Sequence, residues 1–66
     1  MDKEFIIGFA VYENCHILGE EEETVIAGSK EEALAKAQEI ASAHEEEAEA
    51  TKGGDWWYEI IDVCEN

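Results

Sequence analysis

An uninterrupted apolar run lies near the start of the chain. Residues 5–12 are FIIGFAVY, and β-branched and aromatic residues of this kind suit the pleated surface of a β-strand. Because both alternating faces of the run are apolar, the pattern predicts a central strand. The odd-numbered positions carry the bulkier side chains, Phe5, Ile7, Phe9 and Val11, and we assign this face to the core.

Two further segments are also typical of strands. Residues 21–27 predict a second strand, with Val25 and Ala27 facing inward, after a turn at residues 13–16 and a bend at Gly19. The dense glutamates at its start suit an edge strand, since charge there blocks pairing with other sheets. Residues 56–63 predict a third strand.

Between the second and third strands, apolar residues recur at helical spacing. Ser29 is the expected N-cap, and Glu32 three residues later completes a capping box. The pattern predicts a helix from Lys30 to about Ala48 or Ala50, ahead of two consecutive glycines. Its expected apolar face consists of Ala33, Leu34, Ala37, Ile40, Ala41 and His44.

The element order β-β-α-β constrains the fold. Pairing of the third strand with the first makes all neighbours antiparallel and places the two-faced first strand at the centre, in the order 2-1-3. We expect one α+β domain over residues 1–66, a three-stranded antiparallel sheet with one helix packed on one face. The other face would present Ile6, Tyr12 and either Trp56 or Trp57 to solvent or to a partner.

This topology separates the two cysteines. Cys15 follows the end of the first strand, and Cys64 ends the antiparallel third strand. The two residues therefore lie at opposite ends of the sheet. Because a disulfide needs Cα atoms within about 7 Å, we expect no bridge between them.

Charge is the strongest compositional signal. The chain has eighteen Asp and Glu residues but only four Lys and no Arg, for a formal net charge of -14 at pH 7. A protein this acidic repels nucleic acid, which itself carries about one charge per 1.7 Å of duplex, and attracts the basic surfaces that bind it. No segment approaches the roughly 20 apolar residues of a membrane span. We therefore expect a cytoplasmic protein that binds neither nucleic acid nor membrane.

No arrangement of catalytic or metal-ligating residues stands out. Cys15 and His16 are adjacent, but neither His44 nor Cys64 has a partner at the spacing of a zinc site. Carboxylates are so numerous that no single pair marks an acid–base site. We expect no enzymatic activity, no cofactor and no specific metal site, and a loose divalent-cation site remains an alternative.

The glutamates at the end of the helix favour a functional role. Glu45, Glu46, Glu47 and Glu49 crowd the last turns, where the helix dipole disfavours negative charge by roughly 0.3–1 kcal/mol each. Glu45 and Glu49 also repel one another at i,i+4 spacing. A solvated surface does not require this cost, and departures from local rules tend to mark function.

We therefore expect the acidic side chains to replace phosphates on the basic surface of a nucleic-acid-binding protein. Trp57 is a candidate anchor, because tryptophan contributes strongly to interfaces. An alternative is a small accessory module that binds a partner through the exposed sheet face. We expect the protein to be a monomer, or a homodimer formed through that face. The expected acidic contacts are Glu20, Glu21, Glu22, Glu23, Glu39, Glu45, Glu46, Glu47 and Glu49.

The joint between the second strand and the helix resembles a known group. Residues 25–37, VIAGSKEEALAKA, contain the Val-x-Ala-x-Ser-x-Glu-Glu-Ala pattern found at this joint in DpnD/PcfM-like accessory proteins of phages and plasmids. In size, acidity and topology the chain also looks like the acidic anti-CRISPR proteins of phages and mobile elements, some of which mimic DNA. These resemblances imply an inhibitor in the host bacterial cell, with a CRISPR effector subunit as a possible target.

Overall fold

The computed structural model describes residues 2–66, which form three strands and one helix. In chain order the elements are β1 (Lys3–Glu13), β2 (His16–Ala27), α1 (Lys30–Lys52) and β3 (Trp56–Glu65). The strands form one antiparallel sheet in the order β2-β1-β3, and α1 packs against one face of it. The predicted α+β fold and its strand order are confirmed.

The core lies between α1 and the odd-numbered face of β1, as predicted. Phe5, Ile7, Phe9 and Val11 are all buried. The helix faces them with alanines, since Ala33, Ala37 and Ala41 belong to the same buried cluster, together with Val25 and Ala27 of β2. Because these alanines carry only a methyl group, the helix backbone can lie close to the large side chains of the sheet.

The two tryptophans lie on opposite faces of β3. Trp56 is only 8% exposed and packs with Val11 and Ala48 in a second core cluster, and its indole N–H donates to the carbonyl oxygen of Gly53 at 2.8 Å. Trp57 is 61% exposed on the other face. The alternation along β3 and its register with β1 thus fix which tryptophan enters the core.

The second strand begins at His16, five residues before its predicted start at Glu21. Asn14 and Cys15 form a two-residue turn with φ of 49° and 73°, the positive values of a type I′ hairpin turn. The predicted bend at Gly19 is wrong: Gly19 lies within β2, beside a register shift against β1. The shift accommodates one extra residue, so pairing continues to the turn.

The helix begins as predicted and ends later. Ser29 Oγ accepts a hydrogen bond from the Glu32 N–H at 3.2 Å, while the Glu32 carboxylate accepts one from the Gly28 N–H at 3.3 Å. Two residues after Ala50, α1 ends at Lys52. Gly53, with φ of 76°, follows it and donates its N–H to the Glu49 carbonyl at 3.1 Å, so the glycine cap sets the end.

The expected apolar face of α1 is only partly buried, since Ile40 and His44 are half-buried and Leu34 is exposed. Leu34 is 40% exposed, because the buried stripe follows i,i+4 spacing through Ala33, Ala37 and Ala41. Leu34 follows Ala33 in the sequence, so its side chain projects to one side of that stripe, at the edge of the contact with the sheet.

Cys15 and Cys64 lie at opposite ends of the sheet, as predicted. Cys15 is in the β1–β2 turn, whereas Cys64 pairs with Ile6 near the start of β1. Both thiols are free and exposed.

No helix in residues 2–66 has the length and apolar character to cross a membrane.

The molecule is elongated, with principal extents of 40 × 19 × 14 Å. Dividing the 40 Å long axis by the 14 net charges gives about 2.9 Å per charge. This spacing lies between that of one DNA strand, about 3.4 Å per charge, and that of the duplex, about 1.7 Å per charge.

Candidate partner-binding surface

The even-numbered face of β1 lies opposite the helix. We call this side of the sheet the open face, and it is centred on Ile6, Gly8, Ala10 and Tyr12. Ala10 lies between the longer side chains of its two register partners and is buried, whereas the other three are half-buried. The centre of the open face is therefore a narrow apolar strip, and its middle, at Gly8 and Ala10, carries no large side chain.

Four exposed carboxylates flank this strip in two rows. Gly8 pairs with Glu22 on one side and Asp62 on the other, and Ala10 pairs with Glu20 and Glu59. Because neighbouring strands lie about 4.8 Å apart, the two rows are separated by about 10 Å. None of the four takes part in the ion pairs formed within residues 2–66, so their charges are not neutralised by the protein's own cations.

Two of these carboxylates, Glu59 and Asp62, were not predicted as contacts. Alternation from Trp57 places Glu59 on the open face, so that residue could have been found from the sequence. Asp62 could not, because the register between β1 and β3 shifts after the pair Phe9 and Ile60. The shift inserts Ile61 and brings Asp62, rather than Ile61, opposite Gly8.

At the hairpin end of the open face, the aromatic rings of Tyr12 and Trp57 flank a cleft. The two residues are register partners on β1 and β3, which places their Cβ atoms about 4.5–5.5 Å apart. The cleft is shallow, has a volume of about 410 Å³ and has a mostly apolar lining. Its lining residues are Tyr12, Cys15, Asp55, Trp56, Trp57 and Glu59.

Hydrogen bonds hold the walls of this cleft together. The backbone N–H of Asn14 donates to the Asp55 carbonyl at 2.8 Å, and the Asp55 N–H donates to Asn14 Oδ1 at 3.0 Å. A Cβ on Gly54 would lie 3.2 Å from the Asn14 side chain, and Gly54 has φ of 85°. The absence of a side chain at Gly54 thus lets the β1–β2 turn lie against the loop before β3.

The other two glutamates of the 20–23 run face the helix side of the sheet. Glu23 Oε1 lies 3.1 Å from His44 Nε2, and the His44 ring stacks on Tyr58 at 5.2 Å between centroids. Burial, and then the negative charges of Glu21, Glu47 and Glu45, raise the pKa of Tyr58 above its ordinary value of about 10. Glu23 therefore contacts the aromatic pair directly, while the exposed Glu21 and Glu47 lie near enough to act on Tyr58 through their charge.

Glu45 has a structural role. Its Oε2 accepts a hydrogen bond from the backbone N–H of Tyr58 at 2.8 Å. Tyr58 belongs to the edge strand β3, whose outward N–H groups have no strand partner. The contact compensates part of the cost of placing a negative charge near the helix C-terminus.

Glu39, Glu46 and Glu49 form the outer helix surface. All three are exposed, and Glu39 and Glu46, seven residues apart, border the same shallow groove with Gln38 and Ser42. This outer helix surface lies on the opposite side of the molecule from the open face, so one flat partner surface cannot contact both.

The structure therefore distributes the predicted contact residues among four locations. The open face contains Glu20, Glu22 and Trp57; the outer helix surface contains Glu39, Glu46 and Glu49; Glu21, Glu23 and Glu47 lie around His44 and Tyr58; and Glu45 is bound to β3.

Across residues 2–66, no group of three or more His, Cys, Asp or Glu side chains could hold a metal ion.

No family model matches this chain, and neither a curated protein nor a solved structure matches it.

Proposed function

We propose that the protein is an inhibitor that occupies the basic nucleic-acid-binding surface of another protein by DNA mimicry, as some acidic anti-CRISPR proteins do. The observation that carries the proposal is the open face, where two rows of exposed carboxylates flank a narrow apolar strip. The inhibitor would act in the cytoplasm of a bacterial host, and a CRISPR effector subunit is one candidate target.

The mechanism is competitive and electrostatic. Glu20, Glu22, Glu59 and Asp62 replace phosphates and pair with Lys and Arg side chains that otherwise contact nucleic acid. A strongly negative surface also accelerates encounter with a positive one, and this acceleration falls as ionic strength rises.

The charge balance within the fold supports this mechanism. Across residues 2–66, the lysines that form ion pairs are Lys3 with Glu65 and Lys36 with Glu32, and Glu23 also lies within hydrogen-bond distance of His44. A third lysine, Lys52, lies over the Trp56 ring at 5.0 Å. With eighteen acidic residues in the chain, most carboxylates remain available to an external cationic surface.

The test first isolates a partner that the protein binds at the partner's nucleic-acid-binding site. The immobilised protein is exposed to a bacterial lysate, and bound proteins are eluted with duplex DNA at constant ionic strength. A captured protein is then purified and bound to fluorescently labelled nucleic acid. The inhibitor is titrated into this complex, and release of the nucleic acid is followed by fluorescence anisotropy. Full displacement at one inhibitor per site supports the proposal. Formation of a ternary complex, or no displacement at saturating inhibitor, overturns it.

A second candidate is an accessory module that binds an apolar partner through the same face. It is favoured by two exposed isoleucines on the open face, Ile17 at 59% and Ile26 at 50%, which lie near opposite ends of β2. Apolar contact is insensitive to salt over the range that screens exposed ion pairs. Binding to the captured partner that is unchanged between about 0.05 and about 0.3 M NaCl would therefore favour this second candidate.

A further inference from the structure

We propose that the cleft between Tyr12 and Trp57 is a binding site for one arginine side chain of the partner protein. The proposal rests on the proposed function, because it assumes a basic partner, and it adds a specific recognition site to a general electrostatic attraction. We call this site the arginine cleft, and it is lined by the six residues already given for the cleft.

The aromatic walls of the arginine cleft have the chemistry for a cation. Trp57 is 61% exposed, and Tyr12 lies beside it as its register partner on β1. The faces of tryptophan and tyrosine attract cations through the quadrupole of the ring. The protein already uses this interaction nearby, since Lys52 Nζ lies 5.0 Å from the centroid of the Trp56 ring.

Carboxylates at the margin of the cleft specify the charge of the occupant. Asp55 and Glu59 both line it and are exposed. An apolar cleft bordered by two carboxylates disfavours an anionic occupant and complements a cationic one. A second copy of this chain is disfavoured for the same reason, because its open face would bring the same carboxylate rows against these.

The combination of aromatic and carboxylate side chains that line the cleft favours arginine over lysine. A guanidinium is planar, stacks on aromatic faces and donates forked hydrogen bonds to carboxylates, whereas an ammonium is compact and strongly hydrated. The cleft is also largely preformed. Asn14 fixes the turn to Asp55 through two hydrogen bonds, and Tyr12 and Trp57 project from paired strands, so little ordering entropy is lost on binding.

The test uses small probes and does not require the partner. The ¹⁵N-labelled protein is titrated at fixed ionic strength with N-acetyl-arginine amide, its lysine analogue and its neutral citrulline analogue, and the amide and indole N–H resonances are followed by NMR. We expect saturable shifts confined to residues of the cleft, including the indole of Trp57. We expect affinity for the arginine probe to exceed that for lysine by about threefold or more, and no saturation with citrulline.

Variants then locate the site. Trp57→Ala and Glu59→Gln should each weaken binding of the arginine probe by about threefold or more, followed at backbone amides of the cleft. Glu46→Gln is the matched control, because it removes one charge from the outer helix surface, and it should leave the affinity within about 1.5-fold. Trp57 and Glu59 are exposed, and dispersed NMR spectra would verify that each variant is folded.

Several results would overturn the arginine cleft. They are equal affinity for arginine and citrulline, equal affinity for arginine and lysine, or equal weakening by Glu59→Gln and Glu46→Gln. Shifts of the cleft resonances on raising the protein concentration without a probe would instead assign the cleft to a second copy. A saturable arginine cleft in a protein that fails to displace nucleic acid from any captured partner would refute the proposed function while leaving the cleft established.

Discussion

The side chain of Glu45 closes part of the outer edge of the sheet by accepting a hydrogen bond from the backbone N–H of Tyr58 at 2.8 Å. A carboxylate near the C-terminal end of a helix is unfavourable on local grounds. Here it satisfies a donor on the outer side of the edge strand β3, where no further strand pairs with it. The glutamates of the last helical turns therefore do not share one role, and substitutions can separate them.

Replacing Glu45 by alanine should lower the free energy of unfolding relative to the same change at Glu46. The Tyr58 N–H loses its protein acceptor, and a typical hydrogen bond contributes about 0.5–1.5 kcal/mol. Glu46→Ala is the matched control. It brings the same gain in helix propensity and removes the same single negative charge, but at an exposed position of the helix. Glu45→Gln retains an acceptor and should stay near the wild type. Urea denaturation measures all three, and equal midpoints for the two alanine variants would show that the contact contributes nothing.

The raised pKa of Tyr58 predicts a loss of stability at high pH. The folded state retains the phenolic proton above the pH at which the unfolded state loses it, so the native state binds more protons there. The contribution of Tyr58 is thus fully present below about pH 10, the unfolded pKa, and is lost as pH rises through the folded pKa. Tyr58→Phe should flatten this decline in unfolding free energy above about pH 10.

The control for this measurement is Tyr12→Phe, which removes a tyrosine on the opposite face of β1. It should leave the alkaline decline as steep as in the wild type. If Tyr58→Phe and Tyr12→Phe gave the same pH profile, the environment of Tyr58 would not be the source of the decline.

The close contact of helix and sheet predicts that the core alanines tolerate no enlargement. Ala37 is fully buried, so Ala37→Leu must push α1 away from the sheet or displace core side chains, at a cost of about 1–3 kcal/mol. Ala35→Leu, at an exposed position of the same helix, is the control and should change the free energy of unfolding little. Thermal and urea denaturation compare the pair, and equal stability of the two variants would mean that the interface is loosely packed.

Because most of the protein's negative charge is not neutralised by its own cations, we predict that added salt stabilises the fold. Raising NaCl from about 0.01 to about 0.1 M shortens the screening length from about 30 to about 10 Å, which relieves repulsion among the carboxylates and should raise the Tm. A variant with Glu39, Glu46 and Glu49 all replaced by Gln should show a higher Tm at low salt and a smaller salt effect. A Tm that falls with added salt would instead indicate that the ion pairs, such as Lys36 with Glu32, outweigh the repulsion.

The sequence was sufficient to predict the order of elements and the core face of β1. The apolar run is long enough to identify the central strand, and Ser29 and Glu32 identify the start of the helix. The beginning of β2 could not be predicted, because Ile17, Leu18 and Gly19 do not alternate in polarity. Its strand conformation comes from backbone pairing with β1 across the turn and the register shift, which are tertiary features.

The candidate site was only partly predictable for a related reason. Composition identified acidic residues as the functional signal, but four consecutive glutamates carry no information on which face each will occupy until the register is known. That register directs Glu20 and Glu22 to the open face and Glu23 to His44. The role of Glu45 was likewise hidden, since its partner is a backbone group thirteen residues away.

The central claim is that the carboxylates of the open face, rather than acidity in general, bind the partner. Two variants with the same loss of charge test it most directly: Glu20, Glu22 and Glu59 all changed to Gln, and Glu39, Glu46 and Glu49 all changed to Gln. Their affinities for the captured partner are measured by competition with labelled nucleic acid at several salt concentrations. At about 0.5–1 kcal/mol per partly exposed pair, the open-face variant should bind about tenfold or more weakly with a flatter salt dependence, while the helix variant should lose less than about threefold. Equal losses in the two variants, or a larger loss in the helix variant, would contradict the account.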